Sequence, residues 1–188
     1  GFGREGYPVR GLFSIPFAGL TEDGLPTFIN QDGQKTISSF NFQEYEKLDF
    51  LKYEGPTDPT ITGSFGNILT YKNLKLNVFV TYSFGNVIRL DPVFSNAYSD
   101  LDAMPKEFKN RWMKAGDENV TNIPTIVSTR MNQQYAYLNM AYNAYNYSDV
   151  RIADGGFIRL KEISLSYDLP AKVINFFRLN KLQLKLQA

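Results

Sequence analysis

The sequence predicts an all-β fold: a partial, open, antiparallel up-and-down β-barrel of the transmembrane kind, carrying long extracellular loops. Three observations point there. Apolar and polar residues alternate with period two over segments of up to 11 residues, and the connections between those segments alternate long and short. Aromatic residues reach 15% while mean hydropathy stays at −0.29, a balance that suits strands with one apolar and one polar face. A strand of about 11 residues is long for a soluble domain and matches the roughly 9–11 tilted residues that cross a bilayer.

The predicted strands, in order, run over 11–20, 61–71, 74–84, 157–167 and 181–188. In Gly11–Leu20, Phe13, Ile15 and Phe17 share one face and Pro16 lies on the other. Proline removes a ladder donor, so this segment reads as a strand with a bulge or a locally unpaired edge. Ile61–Tyr71 sets Ile61, Phe65, Leu69 and Tyr71 against Thr62, Ser64 and Thr70. The clearest strand is Leu74–Phe84, where Leu74, Leu76, Val78, Val80, Tyr82 and Phe84 alternate with Lys75, Asn77, Phe79, Thr81 and Ser83. Only Phe79 breaks the polar side. Lys72-Asn73 between these strands predicts a two-residue hairpin turn. Along Phe157–Tyr167 the apolar phase moves from Ile158 and Leu160 to Ile163, Leu165 and Tyr167. That shift requires one extra residue near Lys161-Glu162, a β-bulge. Lys181–Ala188 alternates throughout, with Leu182, Leu184, Leu186 and Ala188 opposed to Lys181, Gln183, Lys185 and Gln187.

Roughly 40 residues separate the first two segments, with turn signals at Asp23-Gly24, Asp32-Gly33 and Gly55-Pro56. The pair Lys72-Asn73 separates the next two. Roughly 70 residues, rich in Asn, Tyr, Ser and Asp and holding a short predicted helix around Pro105–Met113, precede the fourth strand. About a dozen, opening with Asp168-Leu169-Pro170, precede the fifth. In an up-and-down sheet every second connection emerges on the same side, so the long loops share one side and the short turns the other. The lipid-facing set is then Leu69, Leu74, Leu76, Val78, Val80, Tyr82, Ile163, Leu165, Leu182, Leu184 and Leu186, with Tyr71, Tyr82 and Phe84 near the two interfaces.

Composition narrows the chemistry. Cysteine and histidine are absent, which removes thiolate nucleophiles, disulfides, Cys/His zinc sites and imidazole acid/base work. A net charge of +1 gives no basic field for nucleic acid. No run approaches the roughly 18 apolar residues of a membrane helix. Gly1-Phe2-Gly3-Arg4-Glu5-Gly6 matches a dinucleotide fingerprint literally but has no preceding strand or following helix pattern. Asn30-Gln31-Asp32-Gly33 lacks the spaced acidic ligands of a calcium loop and reads as a turn. Glu44, Glu46, Asp49 and Glu54 offer no fixed carboxylate separation for glycoside cleavage and read as solvated surface. Neither a catalytic residue nor a cofactor or metal site is expected. In the longest connection, Tyr135, Tyr137, Tyr142, Tyr145 and Tyr147 lie among Asn and Gln, and Trp112 precedes them. Such rings suit contact with a ligand or a protein lid, or packing of the loops on one another. The competing architecture is a soluble carbohydrate-binding or adhesive β-sandwich, whose strands alternate in the same way.

Four stretches resemble the C-terminal region of SusC/RagA-type TonB-dependent outer-membrane transporters. They are Glu5-Gly6-Tyr7-Pro8 running to Phe17-Ala18-Gly19-Leu20; Pro59 to Phe65 leading into Tyr71-Lys72-Asn73-Leu74; Trp112-Met113-Lys114-Ala115-Gly116-Asp117 with Asn122-Ile123-Pro124; and Ser148-Asp149 with Asp154-Gly155-Gly156-Phe157 through Asp168-Leu169-Pro170. Gly156 stands where the family usually has Ser. The resemblance implies a C-terminal fragment of a plugged barrel in the Gram-negative outer membrane, with the plug domain and final strands outside the chain. It further implies coupling to a TonB complex, a SusD-like lipoprotein as lid, outer-membrane lipid around the wall, and an oligosaccharide or peptide substrate, with no bond chemistry.

Overall fold

The computed structural model describes residues 5–39, 49–99, 101, 103–176 and 179–188. Residues 1–4 of the glycine motif, Glu44 and Glu46 lie outside the described residues. In chain order the strands are β1 (Gly11–Ser14), β2 (Phe17–Leu20), β3 (Pro26–Ile29), β4 (Lys35–Thr36), β5 (Lys52–Pro56), β6 (Ile61–Tyr71), β7 (Leu74–Phe84), β8 (Val87–Arg89), β9 (Ile152–Asp154), β10 (Phe157–Asp168) and β11 (Gln183–Gln187). The helices are α1 (Thr129–Gln134), α2 (Leu138–Asn146) and α3 (Ala171–Phe176). The chain divides into two compact units, Gly1–Thr57 with Val87–Asp154, and Asp58–Asn86 with Gly155–Ala188.

The second unit is an open four-stranded antiparallel sheet in the order β11-β10-β7-β6. Sequential long strands are neighbours in it. β6 and β7 pair from Ile61↔Phe84 to Tyr71↔Leu74, leaving Lys72-Asn73 as the turn. Lys72 sits at φ +53°, the left-handed conformation that a tight hairpin compatible with strand twist demands. The Asn73 side chain donates to the Asp168 carbonyl at 2.8 Å, fastening the turn to the end of β10. β10 pairs with β7 along its length, with a register shift between Leu160 and Glu162 that leaves Lys161 as the bulged residue. The expected bulge is therefore where the apolar phase changes.

The bulge keeps the rows in step. Leu160↔Val80, Ile163↔Val78, Leu165↔Leu76 and Tyr167↔Leu74 are direct partners, and β11 continues the rows with Leu184↔Tyr167 and Leu186↔Leu165. Without the extra residue, one half of β10 would present its apolar side chains to the opposite face. The two glycines inside β6 each face an aromatic residue of β7: Gly63 is opposite Tyr82 and Gly66 opposite Phe79. A Cβ at Gly63 would collide with the Tyr82 hydroxyl, and one at Gly66 would lie 3.0 Å from the Phe79 ring. Each ring covers the backbone that its glycine leaves bare.

The first unit holds what the sequence assigns to loops. β1 pairs with β5, β2-β3-β4 form a small sheet, and β8 pairs with β9. Its core gathers Ile15, Leu25, Phe28, Phe94, Phe108, Leu138, Tyr142 and Tyr145. The expected strand over 11–20 is corrected in two respects. It divides at Pro16 into β1 and β2, and neither half joins the four-stranded sheet. The cause is local: Pro16 has no N–H to give, its carbonyl accepts from the Ile29 amide at 3.0 Å, and the Ile15 amide donates to the Tyr147 carbonyl at 3.1 Å. The helix expected around 105–113 is a single 3₁₀ segment, Lys106–Asn110. The strand expected over 181–188 contracts to β11, with Leu182 outside it accepting from the Leu169 amide at 3.0 Å. Asn30 closes the β3–β4 turn, its side-chain oxygen accepting from the amides of Asp32 (3.0 Å) and Gln34 (2.9 Å).

Gly63→Leu is expected to displace the Tyr82 ring and cost about 1–3 kcal/mol, read as a lower urea midpoint of the protein in detergent, whereas Gly33→Asn should be near neutral because that position is open and suits a left-handed turn residue.

Candidate functional site

The surface that distinguishes this chain is one face of the four-stranded sheet. Direct cross-strand partners point to the same side, so register alone assigns the faces. Leu69, Leu74, Leu76, Val78, Val80, Tyr82, Ile163, Leu165, Leu184 and Leu186 all lie on a single face, joined by Phe65, Ile158, Leu160 and Tyr167. Leu182, expected in this set, precedes β11 and is half-buried. Phe65, Ile158, Leu160 and Tyr167 carry the same alternation signal in the sequence as the residues named there.

Along the middle of β10, exposure is inverted relative to a water-facing strand. Along β10, Ile163 and Leu165 are each 39% exposed while Ser164 between them is 4% exposed. Leu186 on the same apolar face is 74% exposed. On the opposite face, Asn77 donates to Glu162 Oε1 at 3.0 Å and the Ser164 hydroxyl donates to the same oxygen at 3.2 Å. Asn77, Glu162 and Ser164 thus satisfy one another on the side that also carries Ile68 and Phe79, and rows of hydrocarbon lie bare on the other. An 11-residue strand is about 33 Å from end to end and rises about 25 Å when tilted near 40°, the height of an outer-membrane apolar band. Aromatics mark both ends of the band: Tyr71 and Tyr167 flank Leu74 at one, and Tyr82 stacks on Phe84 at 5.9 Å at the other. No described helix is long and apolar enough to cross a membrane.

The aromatic loop residues separate into two groups. Tyr142 and Tyr145 are 1% and 2% exposed and belong to the core of the first unit, so the expectation of ligand or lid contact does not hold for them. They lie on α2, which buries Leu138, Ala141, Tyr142 and Tyr145 at the i, i+3, i+4, i+7 spacing of one helix face. The Tyr142 hydroxyl donates to the Thr125 carbonyl, and burial pushes its phenol pKa well up. Tyr145 meets Phe94 edge-on at 4.8 Å and Phe17 at 5.7 Å, and burial raises its pKa as well. Tyr135 and Tyr137 form a tilted pair at 5.7 Å near the surface. Among these rings Tyr137 and Tyr147 are exposed, Tyr135 being half-buried.

Trp112 is a packing residue. Its ring lies over Gly24, whose φ of +75° and missing Cβ make room for it. Its indole N–H donates to Glu118 Oε2 at 3.1 Å, the Gly116 amide donates to the same oxygen at 2.8 Å, and Asp117 accepts from the amides of Met113 and Lys114. Hydrogen bonding from its own backbone amide first, and then from Trp112, holds the Glu118 carboxyl below the usual glutamate range. Among the described residues no group of three or more His, Cys, Asp or Glu could hold a metal ion. Glu54, expected as solvated surface, is half-buried: it accepts from the Ser14 hydroxyl at 2.6 Å and pairs with Lys52 at 3.2 Å.

No family model matches the chain. The chain is similar to TonB-dependent receptor P3 of Formosa agariphila, at 24% identity over 173 residues that cover 88% of this chain and 15% of that protein. It also superposes on the RagAB peptide importer, in the open-open state with a TM-score of 0.58 at 16% identity and in the closed-closed state with 0.57 at 19%. Both alignments cover 93% of this chain and 18% of the importer chain. The chain thus spans about 15% of the length of the curated relative it matches. The structural likeness establishes the fold: antiparallel and mostly β, with few helices.

Tyr142→Ala is expected to cost about 3–5 kcal/mol in chemical denaturation, against about 0.5 kcal/mol or less for the exposed Tyr137→Ala. Because the Glu118 pKa is depressed on folding, its stabilisation holds above the unfolded value, ~4.3, and is lost as pH falls through the folded one. The Trp112 emission, taken as the difference from Trp112→Phe, should therefore shift to the red below that pH, and Glu118→Gln should remove the pH-dependent step.

Proposed function

We propose that this chain forms part of the barrel wall and extracellular loops of a TonB-dependent outer-membrane importer and performs no bond chemistry. The carrying observation is the bare apolar rows on one face of the sheet, with the Asn77–Glu162–Ser164 hydrogen-bonded cluster on the other. In water such a face is an aggregation site; in a bilayer it is the lipid contact that a barrel wall requires. A soluble β-sandwich buries its apolar strand faces under a second sheet, and residues such as Leu69, Ile158 and Leu186, 60–74% exposed, have no such cover. The two loose sheet edges, on β6 and β11, fit an arc of a barrel whose neighbouring strands complete the pairing.

The reading places the protein in the Gram-negative outer membrane, in contact with lipid, and takes energy from a TonB complex through other parts of the protein. Its resemblance to the SusC/RagA type adds a SusD-like lipoprotein as lid partner and oligosaccharides or peptides as cargo. Likeness to a TonB-dependent receptor over most of the chain and to a peptide importer in fold supports that direction.

Val78 and Asn77 are adjacent on β7 and face opposite sides. Val78→Lys should cost about 2–4 kcal/mol in folding into lipid vesicles, while Asn77→Lys, beside Glu162, should fold near normally. Normal folding of Val78→Lys with failure of Asn77→Lys would reverse the assignment of faces.

A further inference from the structure

The first unit contains a half-enclosed cavity of about 430 Å³, within the range of sites that take small ligands. Its wall is mostly apolar, with Ile15, Leu51 and Ala144 contributing, and among the described residues it holds a single charged side chain, Arg89 of β8. Asn143 and Tyr147 complete the rim from the α2 side. One terminal nitrogen of Arg89, Nη2, donates to the Phe13 carbonyl at 2.6 Å, and the guanidinium lies over the Tyr147 ring at 5.0 Å. These contacts hold the plane of the group. The other terminal nitrogen, Nη1, is buried with no hydrogen-bond partner.

Burial lowers the affinity of the half-buried guanidinium for the proton, and the charges of Tyr147 and Glu54 offset that only in part. Among the described residues, two nearby carboxylates make their hydrogen bonds elsewhere. Glu54 is taken by Ser14 and Lys52, and Asp149 accepts from the Phe17 amide at 3.1 Å and pairs with Lys52 at 3.4 Å. The cavity therefore offers an oriented cation, one nitrogen of which has no hydrogen-bond partner, beside a hydrocarbon surface. An arginine fork selects planar anions such as carboxylates, and the lining selects an apolar substituent. A neutral sugar would bring no anion to Arg89 and would place hydroxyl groups against Ile15 and Leu51.

We propose that this cavity binds a carboxylate borne on an apolar group, with Arg89 as the anion partner and Tyr147 as the positioning residue behind it. The chemistry is shared by a free aryl or branched acyl acid and by the C-terminus of a peptide ending in an apolar residue. The site rests on the geometry of the first unit alone, so its failure would leave the barrel-wall reading standing.

The test is calorimetric titration of the full-length protein in detergent with phenylacetate and with phenylacetamide. The site predicts saturable binding of the acid, at least about tenfold weaker binding of the amide, and a loss of about tenfold in Arg89→Gln that Arg89→Lys partly restores. Should Arg89→Gln fail to fold, Asn143→Trp, which narrows the rim and leaves the cation intact, must still weaken the acid. Equal binding of acid and amide, unchanged binding in either folded variant, or no binding of phenylacetate to the folded protein would overturn the proposal. Ala-Ala-Phe with a free carboxyl group binding more tightly than phenylacetate, and losing that affinity on amidation, would support the site as a peptide C-terminus site. The reverse order, with the acid still above its amide, would support it as a site for free acids.

Discussion

A sheet with apolar side chains on one face and no layer to cover them must find that cover outside itself. The rows on β6, β7, β10 and β11 impose this condition, because burying them is worth about 25 cal/mol for each Å² removed from water. Lipid satisfies the condition without adding a second layer, provided every backbone group inside the bilayer is paired along the ladders. The Lys161 bulge serves the same end. It lets β10 keep Ile158 and Leu160 in phase with Ile163 and Leu165, so that the band is continuous across the strands. On the reverse face, Glu162, Asn77 and Ser164 satisfy one another in a closely packed polar patch suited to a lumen.

The long connections obey different physics. They build a core of their own, mostly from aromatic rings: Phe94 stacks on Phe108 at 5.1 Å and meets Tyr145 edge-on. Two polar anchors hold that core in place. Asn146 exchanges two hydrogen bonds with the backbone of Phe94, at 3.1 and 2.8 Å, as a peptide group in a ladder would. Arg151, 3% exposed, bonds Glu107 at 2.8 Å and the Asp91 carbonyl at 3.1 Å while its guanidinium lies over the Phe94 ring. Removal of either partner would strand a buried polar group, which makes these loops a fixed scaffold on which a binding surface can be held.

Much of the sheet was legible because its physics is local. Alternation along Leu74–Phe84, the Lys72-Asn73 turn and the phase change at Lys161 each leave a mark in a few consecutive residues. The first unit was not legible in the same way, because its partners lie far apart in sequence: Gly24 makes room for Trp112, and Asn146 reads the backbone of Phe94. Pro16 marked an interruption, but only the Ile15–Tyr147 and Pro16–Ile29 hydrogen bonds show that the chain leaves one sheet for another there. A signal for α2 was present and is helical in period: Leu138, Ala141, Tyr142 and Tyr145 trace one face, and the abundance of Asn and Tyr around them obscured it. Arg89 carried no sequence signal, since its isolation depends on which carboxylates the fold sends elsewhere.

Cysteine scanning along β7 tests the central claim most directly, and the chain has no native cysteine to interfere. With a nitroxide at each position from Leu74 to Phe84 of the protein in lipid vesicles, collision with oxygen dissolved in the bilayer and with a water-soluble nickel complex reports the two faces. The account predicts opposed period-two oscillations, oxygen dominating at Leu76, Val78 and Val80 and nickel at Lys75, Asn77 and Thr81. Water access at Leu76, Val78 and Val80, or no alternation between neighbouring positions, would contradict it.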